Sequence, residues 1–185
     1  KMVFIGGARQ VGKTTISKEL VADKFKNSTY FNWDYQPDRK KITSFELPGE
    51  KSLLIFDEIH KYSKWKNLIK GIYDTNKEKY DIIVTGSARL NIYRKGGDSL
   101  QGRYHYYTLH PFSVAEFEII QNKFIPFNEL EFDSQSHDES LNLLCKFGGF
   151  PEPLMKQNER TLRRWKKEKL ERLFREDIRD IENIR

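Results

Sequence analysis

The decisive stretch of this chain reads Ile5-Gly6-Gly7-Ala8-Arg9-Gln10-Val11-Gly12-Lys13-Thr14-Thr15 and contains the spacing G-x-x-x-x-G-K-T. Gly7 and Gly12 let the backbone turn closely around an anion, because neither carries a Cβ. In such a loop the backbone N–H groups point at phosphate oxygens, Lys13 reaches the outer phosphates and the Thr14 hydroxyl ligates Mg²⁺. The pattern therefore predicts a nucleotide-binding loop made of Gly7, Ala8, Arg9, Gln10, Val11, Gly12, Lys13, Thr14 and Thr15.

The residues on either side of this loop support the prediction. Residues 2–5 form a short apolar run, as expected of a buried strand, and residues 15–24 have the pattern of a helix. A glycine-rich turn before an ordinary helix is the alternative. A strand that leads into a glycine loop and then into a helix favours a phosphate site.

Two acidic residues follow a second apolar run. Residues 53–56 are all apolar, and Asp57 and Glu58 come directly after them. Strands buried in a parallel sheet read as continuous apolar runs, and ligands bind beyond the carboxyl ends of such strands. Asp57 is therefore predicted to hold Mg²⁺ through water, and Glu58 to polarise the water that attacks the γ-phosphate. Alternatively, the two acids are only the first polar residues of a loop.

A third candidate group ends the predicted strand at residues 81–87. Its apolar residues give way abruptly to Thr85-Gly86-Ser87. The hydroxyls of Thr85 and Ser87 are predicted to orient the attacking water or to sense the γ-phosphate, although a polar strand terminus would look the same. Before this strand, apolar residues recur at helical spacing, which predicts a helix packed on the sheet by its core face: Trp65, Leu68, Ile69, Ile72 and Tyr73.

The order of these segments predicts an α/β fold. Further strands are expected at residues 29–34 and 104–109, which with the others make a parallel five-stranded sheet flanked by helices. Helices are also predicted at 38–45 and 114–121, the latter capped by Ser113. A rigid turn at 147–153 precedes a long amphipathic helix from residue 162. We expect one domain over 1–121 and a helical C-terminal extension over 122–185 that continues beyond this fragment.

The amino-acid composition limits the classes of binding partner that this chain could have. The 185 residues carry a net charge of +6, and residues 156–185 hold an excess of four basic side chains, from 11 Lys and Arg against 7 Asp and Glu. This excess is either a nucleic-acid-facing surface or a solvated helix face. Cys145 is the only cysteine, which predicts a reducing, cytoplasmic environment, and the four histidines show no metal-ligand spacing. No apolar run is long enough to span a membrane.

Taken in order, the motifs resemble those of the additional-strand, catalytic-Glu branch of P-loop ATPases. More specifically, they look like the AAA-type ATPase domain of archaeal and bacterial STAND-like ATPases. The resemblance covers nearly the whole chain and is carried by these segments: Gly7 to Thr15, Phe56-Asp57-Glu58-Ile59-His60, Thr85-Gly86-Ser87, Gly102-Arg103-Tyr104, His110-Pro111-Phe112-Ser113 and Gly148-Gly149-Phe150-Pro151-Glu152.

The resemblance implies an ATPase with a RecA/AAA-like fold that uses ATP and Mg²⁺. It implies that Lys13 and Thr14 bind phosphate and Mg²⁺, that Asp57 binds Mg²⁺, and that Glu58 is the catalytic base. Thr85 or Ser87 would be the sensor. A homo-oligomer or a C-terminal effector domain would be the partner, with nucleic acid as a further candidate and no membrane.

The resemblance also implies that Arg103 is an arginine finger. Arg103 precedes the strand at 104–109, so it lies at the opposite edge level of the sheet from the predicted site. It is therefore expected to act on the nucleotide of a neighbouring subunit. The alternative is a structural ion pair.

Two other functions fit the glycine loop. A small-molecule or nucleoside kinase shares it, and residues 94–97 could serve as the lid of such an enzyme. A nucleotide-dependent scaffold that does not hydrolyse its nucleotide is the other alternative. The Asp57-Glu58 pair favours hydrolysis, and with it a nucleotide-driven conformational switch.

Overall fold

A computed structural model describes residues 1–86, 100–119 and 136–172, and these fall into two compact units, Lys1–His110 and Pro111–Arg185. The first unit is built on a five-stranded parallel sheet of order β2-β3-β4-β1-β5. Its strands are β1 (Met2–Gly7), β2 (Ser28–Asn32), β3 (Ser52–Asp57), β4 (Tyr80–Thr85) and β5 (Tyr104–Leu109). This confirms the predicted fold class.

Strand order explains why the sequence reads as it does. β3 is buried along its whole length, because β2 and β4 flank it in the sheet and side chains cover both of its faces. β4 lies between β1, which carries the glycine loop, and β3, which carries the two acids. It is the additional strand of the predicted ATPase branch. Its register with both neighbours sets Thr85 beside Ile5 and beside Asp57.

Helices cover the sheet. They are α1 (Lys13–Thr15), which continues as a π-helix over Ile16–Val21 and a 3₁₀ turn over Ala22–Lys24, then α2 (Gln36–Thr43) and α3 (Trp65–Thr75). The π-helical stretch was not predicted. The Ser17 hydroxyl donates to the carbonyls of Lys13 and Thr14 at 2.9 and 3.2 Å, and such bonds compete with the regular helical ladder.

The larger core lies between α3 and one face of the sheet. Ile69 and Ile72 of α3 pack there with Phe4, Leu54 and Phe56, and all five are at most 1 % exposed. The aromatic stripe predicted as core is therefore core. On the other face a smaller cluster joins Ile5, Leu53, Ile55 and Ile83 to Ala22. Together the two clusters hold the strands in the register that brings their carboxyl ends to one level.

The second unit is helical as far as it is described. Its helices are α4 (Val114–Phe117), α5 (Asp138–Phe147), α6 (Pro151–Lys156) and α7 (Glu159–Arg172). Ser113 and Glu116 form the predicted capping box at α4. The rigid turn predicted over 147–153 is wrong in its second half, because Pro151 begins α6 at a position where a helix tolerates proline.

The division between the units falls between His110 and Pro111, before the boundary expected near residue 122. The reason is that Phe112 and Phe117 pack with Phe147 and Leu154 in the core of the second unit. The expected boundary itself lies among residues 120–135, outside the described residues, and the two-domain division stays a prediction. In the described parts, no helix is long and apolar enough to cross a membrane.

Candidate nucleotide-binding site

The glycine loop connects β1 to α1 at the carboxyl edge of the sheet. Gly7 has φ 141°, and a Cβ there would lie 2.3 Å from the carbonyl oxygen of Leu109 on β5. Gly12 has φ 101°. Both positions need glycine, the first because of close packing against β5 and the second because of its left-handed backbone. The sequence pattern therefore corresponds to a loop that other residues would distort.

Lys13 lies inside this loop. Its side chain is buried, and its Nζ donates to the carbonyl oxygens of Gly7 at 3.1 Å and Ala8 at 2.6 Å. Burial lowers the pKa of Lys13, while the negative charges of Glu58 and Asp57 act to raise it. A buried ammonium with carbonyl partners and two nearby carboxylates is a cation held within the concave side of the loop. Phosphate oxygens are the ligands that such a cation attracts.

Asp57 is the centre of the site. The residue is 7 % exposed, and its carboxylate accepts hydrogen bonds from three hydroxyl groups on three different elements. Thr14 of α1 donates to Oδ2 at 3.0 Å, and Thr85 of β4 donates to Oδ1 at 2.6 Å. The third donor is Tyr30 of β2, at 2.7 Å from Oδ2. The structure thus brings the predicted residues Lys13, Thr14, Asp57 and Thr85 together, and their roles stay predictions.

Sequence reasoning missed Tyr30. In the register of β2 on β3, Tyr30 is paired with Ile55, and Asp57 is two residues further along the same face. Diagonal neighbours of this kind are within reach of a long side chain. Burial and the Asp57 carboxylate raise the pKa of the Tyr30 hydroxyl, so it stays protonated and can donate. Only the pairing of β2 with β3 could have revealed this contact.

Glu58 has a left-handed backbone with φ 57°, which turns its side chain out of the line of β3. Its amide donates to the Thr85 carbonyl at 3.0 Å, and its carboxylate lies 3.2 Å from Lys61 Nζ. Lys61 also pairs with Asp34, which follows β2. Burial acts to lower the pKa of Lys61, but the hydrogen bond to Asp34 and the charge of Glu58 outweigh it and raise that pKa. The sequence predicted neither Lys61 nor Asp34 beside the candidate base.

One other predicted residue, Arg103, lies apart from this cluster. Arg103 stands before β5, at the amino edge of the sheet, and forms a paired hydrogen bond with Asp74 of α3 at 2.7 and 3.1 Å. The structure therefore does not bring Arg103 to the nucleotide loop of its own chain. Ser87 lies outside the described residues. The roles predicted for both remain predictions.

The donor set fits a magnesium ion. Mg²⁺ prefers oxygen ligands and is usually held by one or two protein groups plus substrate phosphates. The Thr14 hydroxyl and the Asp57 carboxylate supply such oxygens and already contact each other at 3.0 Å. Lys13, in the same loop as Thr14, adds a positive charge for the phosphates. These residues are the ones that would hold a Mg²⁺–nucleotide.

A parallel sheet with an added central strand, a glycine loop after β1 and Asp-Glu after β3 define a P-loop nucleoside triphosphatase. The subgroup follows from the sequence itself. A family model described as an AAA domain (AAA_14) matches residues 1–118, and the chain belongs to this family. It is therefore an AAA-type P-loop ATPase domain, as the motifs predicted.

One curated relative is an uncharacterized protein, MJ1544, of Methanocaldococcus jannaschii, which is 25 % identical over 198 residues. The match covers 100 % of this chain but 43 % of the relative, so the chain spans less than half of that protein's length.

Two solved structures are similar to this chain, one of an archaeal protein and one of a bacterial protein. The Orc1 protein of Aeropyrum pernix in complex with DNA aligns with a TM-score of 0.47 and 14 % identity, over 65 % of this chain and 42 % of Orc1. The Holliday junction branch migration motor RuvB of Thermotoga maritima aligns with a TM-score of 0.46 and 18 % identity, over 64 % of this chain and 40 % of RuvB.

The Tyr30 contact yields a testable prediction. Tyr30→Phe removes one of the three hydroxyls on Asp57 and leaves the ring in place. Groups that orient a metal ligand typically contribute about 10–100-fold to metal affinity. We expect the gain in nucleotide affinity on adding Mg²⁺ to fall by about tenfold, as measured by calorimetry, while affinity in EDTA is unchanged. Tyr35→Phe, at a tyrosine that is 59 % exposed, is the matched control. An unchanged Mg²⁺ effect in Tyr30→Phe would show that this hydrogen bond has no part in metal binding.

Proposed function

We propose that this domain binds ATP with Mg²⁺ and hydrolyses it, and that hydrolysis drives a conformational switch. The observation that carries the proposal is the contact of Thr14 with Asp57 at 3.0 Å, with Lys13 buried in the same loop. The oxygen ligands Thr14 and Asp57 come from separate segments and meet at the carboxyl edge of the sheet, with the cation Lys13 next to Thr14. A fold that needed only stability would gain little from a buried lysine and carboxylate there, because burying charged groups is costly.

Each residue has a defined task in this proposal. Bound Mg²⁺ would neutralise charge on the β- and γ-phosphates. The loop amides and Lys13 bind the phosphates, and the hydroxyls of Thr85 and Tyr30 keep the Asp57 carboxylate in place. The Thr85 hydroxyl donates its hydrogen bond to Asp57 at 2.6 Å, which supports a positioning role rather than direct contact with the attacking water. Ser87, the other residue predicted to sense the γ-phosphate, is then the proposed sensor.

Glu58 is the proposed base. Glu58 directly follows the proposed metal ligand Asp57 in the chain, and its carboxylate lies 3.2 Å from Lys61 Nζ. The ion pair with Lys61 restrains the Glu58 carboxylate. Activation of water by Glu58 therefore requires the carboxylate to turn from Lys61 toward the phosphates. This movement is a concrete candidate for the switch.

The partners are also proposals. A C-terminal effector domain or a second subunit is the proposed receiver of the switch. The chain spans 43 % of its archaeal relative. A nucleic-acid link through residues 156–185 has weak support. In the described part of α7, Arg164 and Arg172 both pair with Glu168, and Glu159 pairs with Lys146, which is the pattern of a solvated helix face. Any nucleic-acid binding by that helix should be weak and salt-sensitive.

The kinase and the non-hydrolysing scaffold remain alternatives. The Asp57-Glu58 pair at the end of an apolar strand supports hydrolysis over transfer to a bound acceptor. The lid that a kinase would need falls at residues 94–97, outside the described residues. Phosphate release from ATP–Mg²⁺, followed with and without candidate acceptors, distinguishes the three functions.

The catalytic role of Glu58 can be measured directly. Glu58→Gln keeps the shape of the side chain but cannot accept a proton from water. We expect ATP to bind about normally and turnover to fall by roughly 10²–10⁴-fold, the usual contribution of a positioned base. Glu78→Gln, the same change at an exposed residue before β4, should leave turnover unchanged. Wild-type turnover in Glu58→Gln would place the base elsewhere.

Arg103 gives a further prediction. If it serves a neighbouring subunit, turnover per subunit rises with protein concentration, and a mixture of Arg103→Ala with Lys13→Ala recovers activity that neither variant has alone. Fingers supplied in trans are worth about 10³–10⁵ in turnover. If Arg103 only pairs with Asp74, the mixture stays inactive, and Asp74→Ala destabilises the fold to a similar small extent as Arg103→Ala in a thermal melt.

A further inference from the structure

The amino edge of the sheet, opposite the nucleotide site, carries a row of lysines. Lys51 and Lys79 directly precede β3 and β4, and Lys26 lies two residues before β2. Two backbone hydrogen bonds fix this arrangement, from Leu53 N to the Asn27 carbonyl at 2.9 Å and from Ser52 N to the Lys79 carbonyl at 3.1 Å. Adjacent strands are about 4.8 Å apart, so three positive charges start from neighbouring positions on one edge.

This row lies beside a cavity. The cavity has a volume of about 410 Å³, and its lining includes Lys24, Lys26 and Lys51 together with Phe25 and Asn27. Glu50 and Asp81 also line it, so its lysines outnumber its carboxylates by one. Across the described ranges, none of Lys24, Lys26 and Lys51 forms an ion pair with a carboxylate.

Like charges on neighbouring strands repel and are destabilising. Lys79 lies over the ring of Tyr80 at 5.2 Å, whereas Lys24, Lys26 and Lys51 line the cavity and their charges are available to an anion. Phe25 is 36 % exposed and stands between Lys24 and Lys26 in the chain, so part of this apolar residue is open to a ligand. Lysines interleaved with an exposed aromatic ring are the elements of sites for single-stranded nucleic acid, where phosphates meet cations and a base stacks on the ring.

We propose that this cavity, the Lys26–Lys51 pocket, binds single-stranded nucleic acid, with a base against Phe25 and its phosphates on Lys24, Lys26 and Lys51. The two acids on the rim and the small charge surplus fit one or two nucleotides better than the continuous backbone of a duplex. The pocket lies about 20 Å from Asp57, six residues along β3, so nucleic acid and nucleotide would bind at opposite edges of one sheet. The proposal does not depend on ATP hydrolysis.

The test is fluorescence anisotropy of a labelled oligothymidylate with the full-length protein, without nucleotide. The double variant Lys26→Glu with Lys51→Glu should weaken binding by about tenfold or more, and the wild-type affinity should fall steeply with salt. Lys40→Glu with Lys41→Glu, the same charge change at two exposed lysines of α2, is the matched control and should weaken it much less. Lys26→Arg with Lys51→Arg, which keeps both charges, should bind like the wild type, and a wild-type thermal melt of the glutamate variant shows that its loss of binding is not misfolding.

The ring has its own control. Phe25→Leu should weaken binding by about tenfold, as expected for one lost stacking contact, whereas Phe45→Leu, at a phenylalanine that is 58 % exposed, should not. ATP turnover by the glutamate variant should equal that of the wild type, which separates this proposal from the one on hydrolysis. Equal loss in both lysine pairs would overturn the proposal. So would binding to tripolyphosphate or to phosphatidylserine vesicles through these lysines without binding to the oligonucleotide.

Discussion

The carboxylate of Asp57 accepts hydrogen bonds from Thr14, Tyr30 and Thr85, and these three hydroxyls come from α1, β2 and β4. A buried carboxylate is tolerated only when hydrogen bonds replace its water. The contact therefore holds only if β2, β3 and β4 keep their register and if α1 starts where the loop ends. The two hydrophobic clusters on either face of the sheet maintain that register. Packing and chemistry in this domain depend on each other through one residue.

The two edges of the sheet have opposite character. The carboxyl edge gathers the glycine loop, the acids and the hydroxyls, whereas the amino edge gathers lysines and Arg103. In a parallel sheet all loops of one kind emerge at the same edge, so residues far apart in sequence meet without any long-range pattern in the sequence. The Lys61 bridge between Glu58 and Asp34 arises in this way, because both acids follow neighbouring strands. It gives the proposed base a defined resting position.

Much of this could be predicted from the sequence, for physical reasons that differ by element. β3 and the loop were predictable, because an apolar run and two fixed glycines reflect burial and backbone geometry at single positions. Tyr30 was not, since its contact with Asp57 depends on which strand lies beside β3. The sequence predicted a turn where the helix at Pro151 begins, because proline is common both in turns and at the first position of a helix. The sequence predicted an ion pair of Arg103 as an alternative, but it did not identify Asp74 as the partner.

The central claim is that Lys13 binds the phosphates of a nucleotide within this loop. Calorimetric titration of ATP with Mg²⁺ into the wild type and into Lys13→Ala tests it most directly, with Lys41→Ala, at an exposed lysine of α2, as the control. The account predicts that Lys13→Ala loses most of its ATP affinity while its thermal unfolding stays close to that of the wild type, and that Lys41→Ala binds ATP normally. Undiminished ATP affinity in a folded Lys13→Ala protein would contradict it.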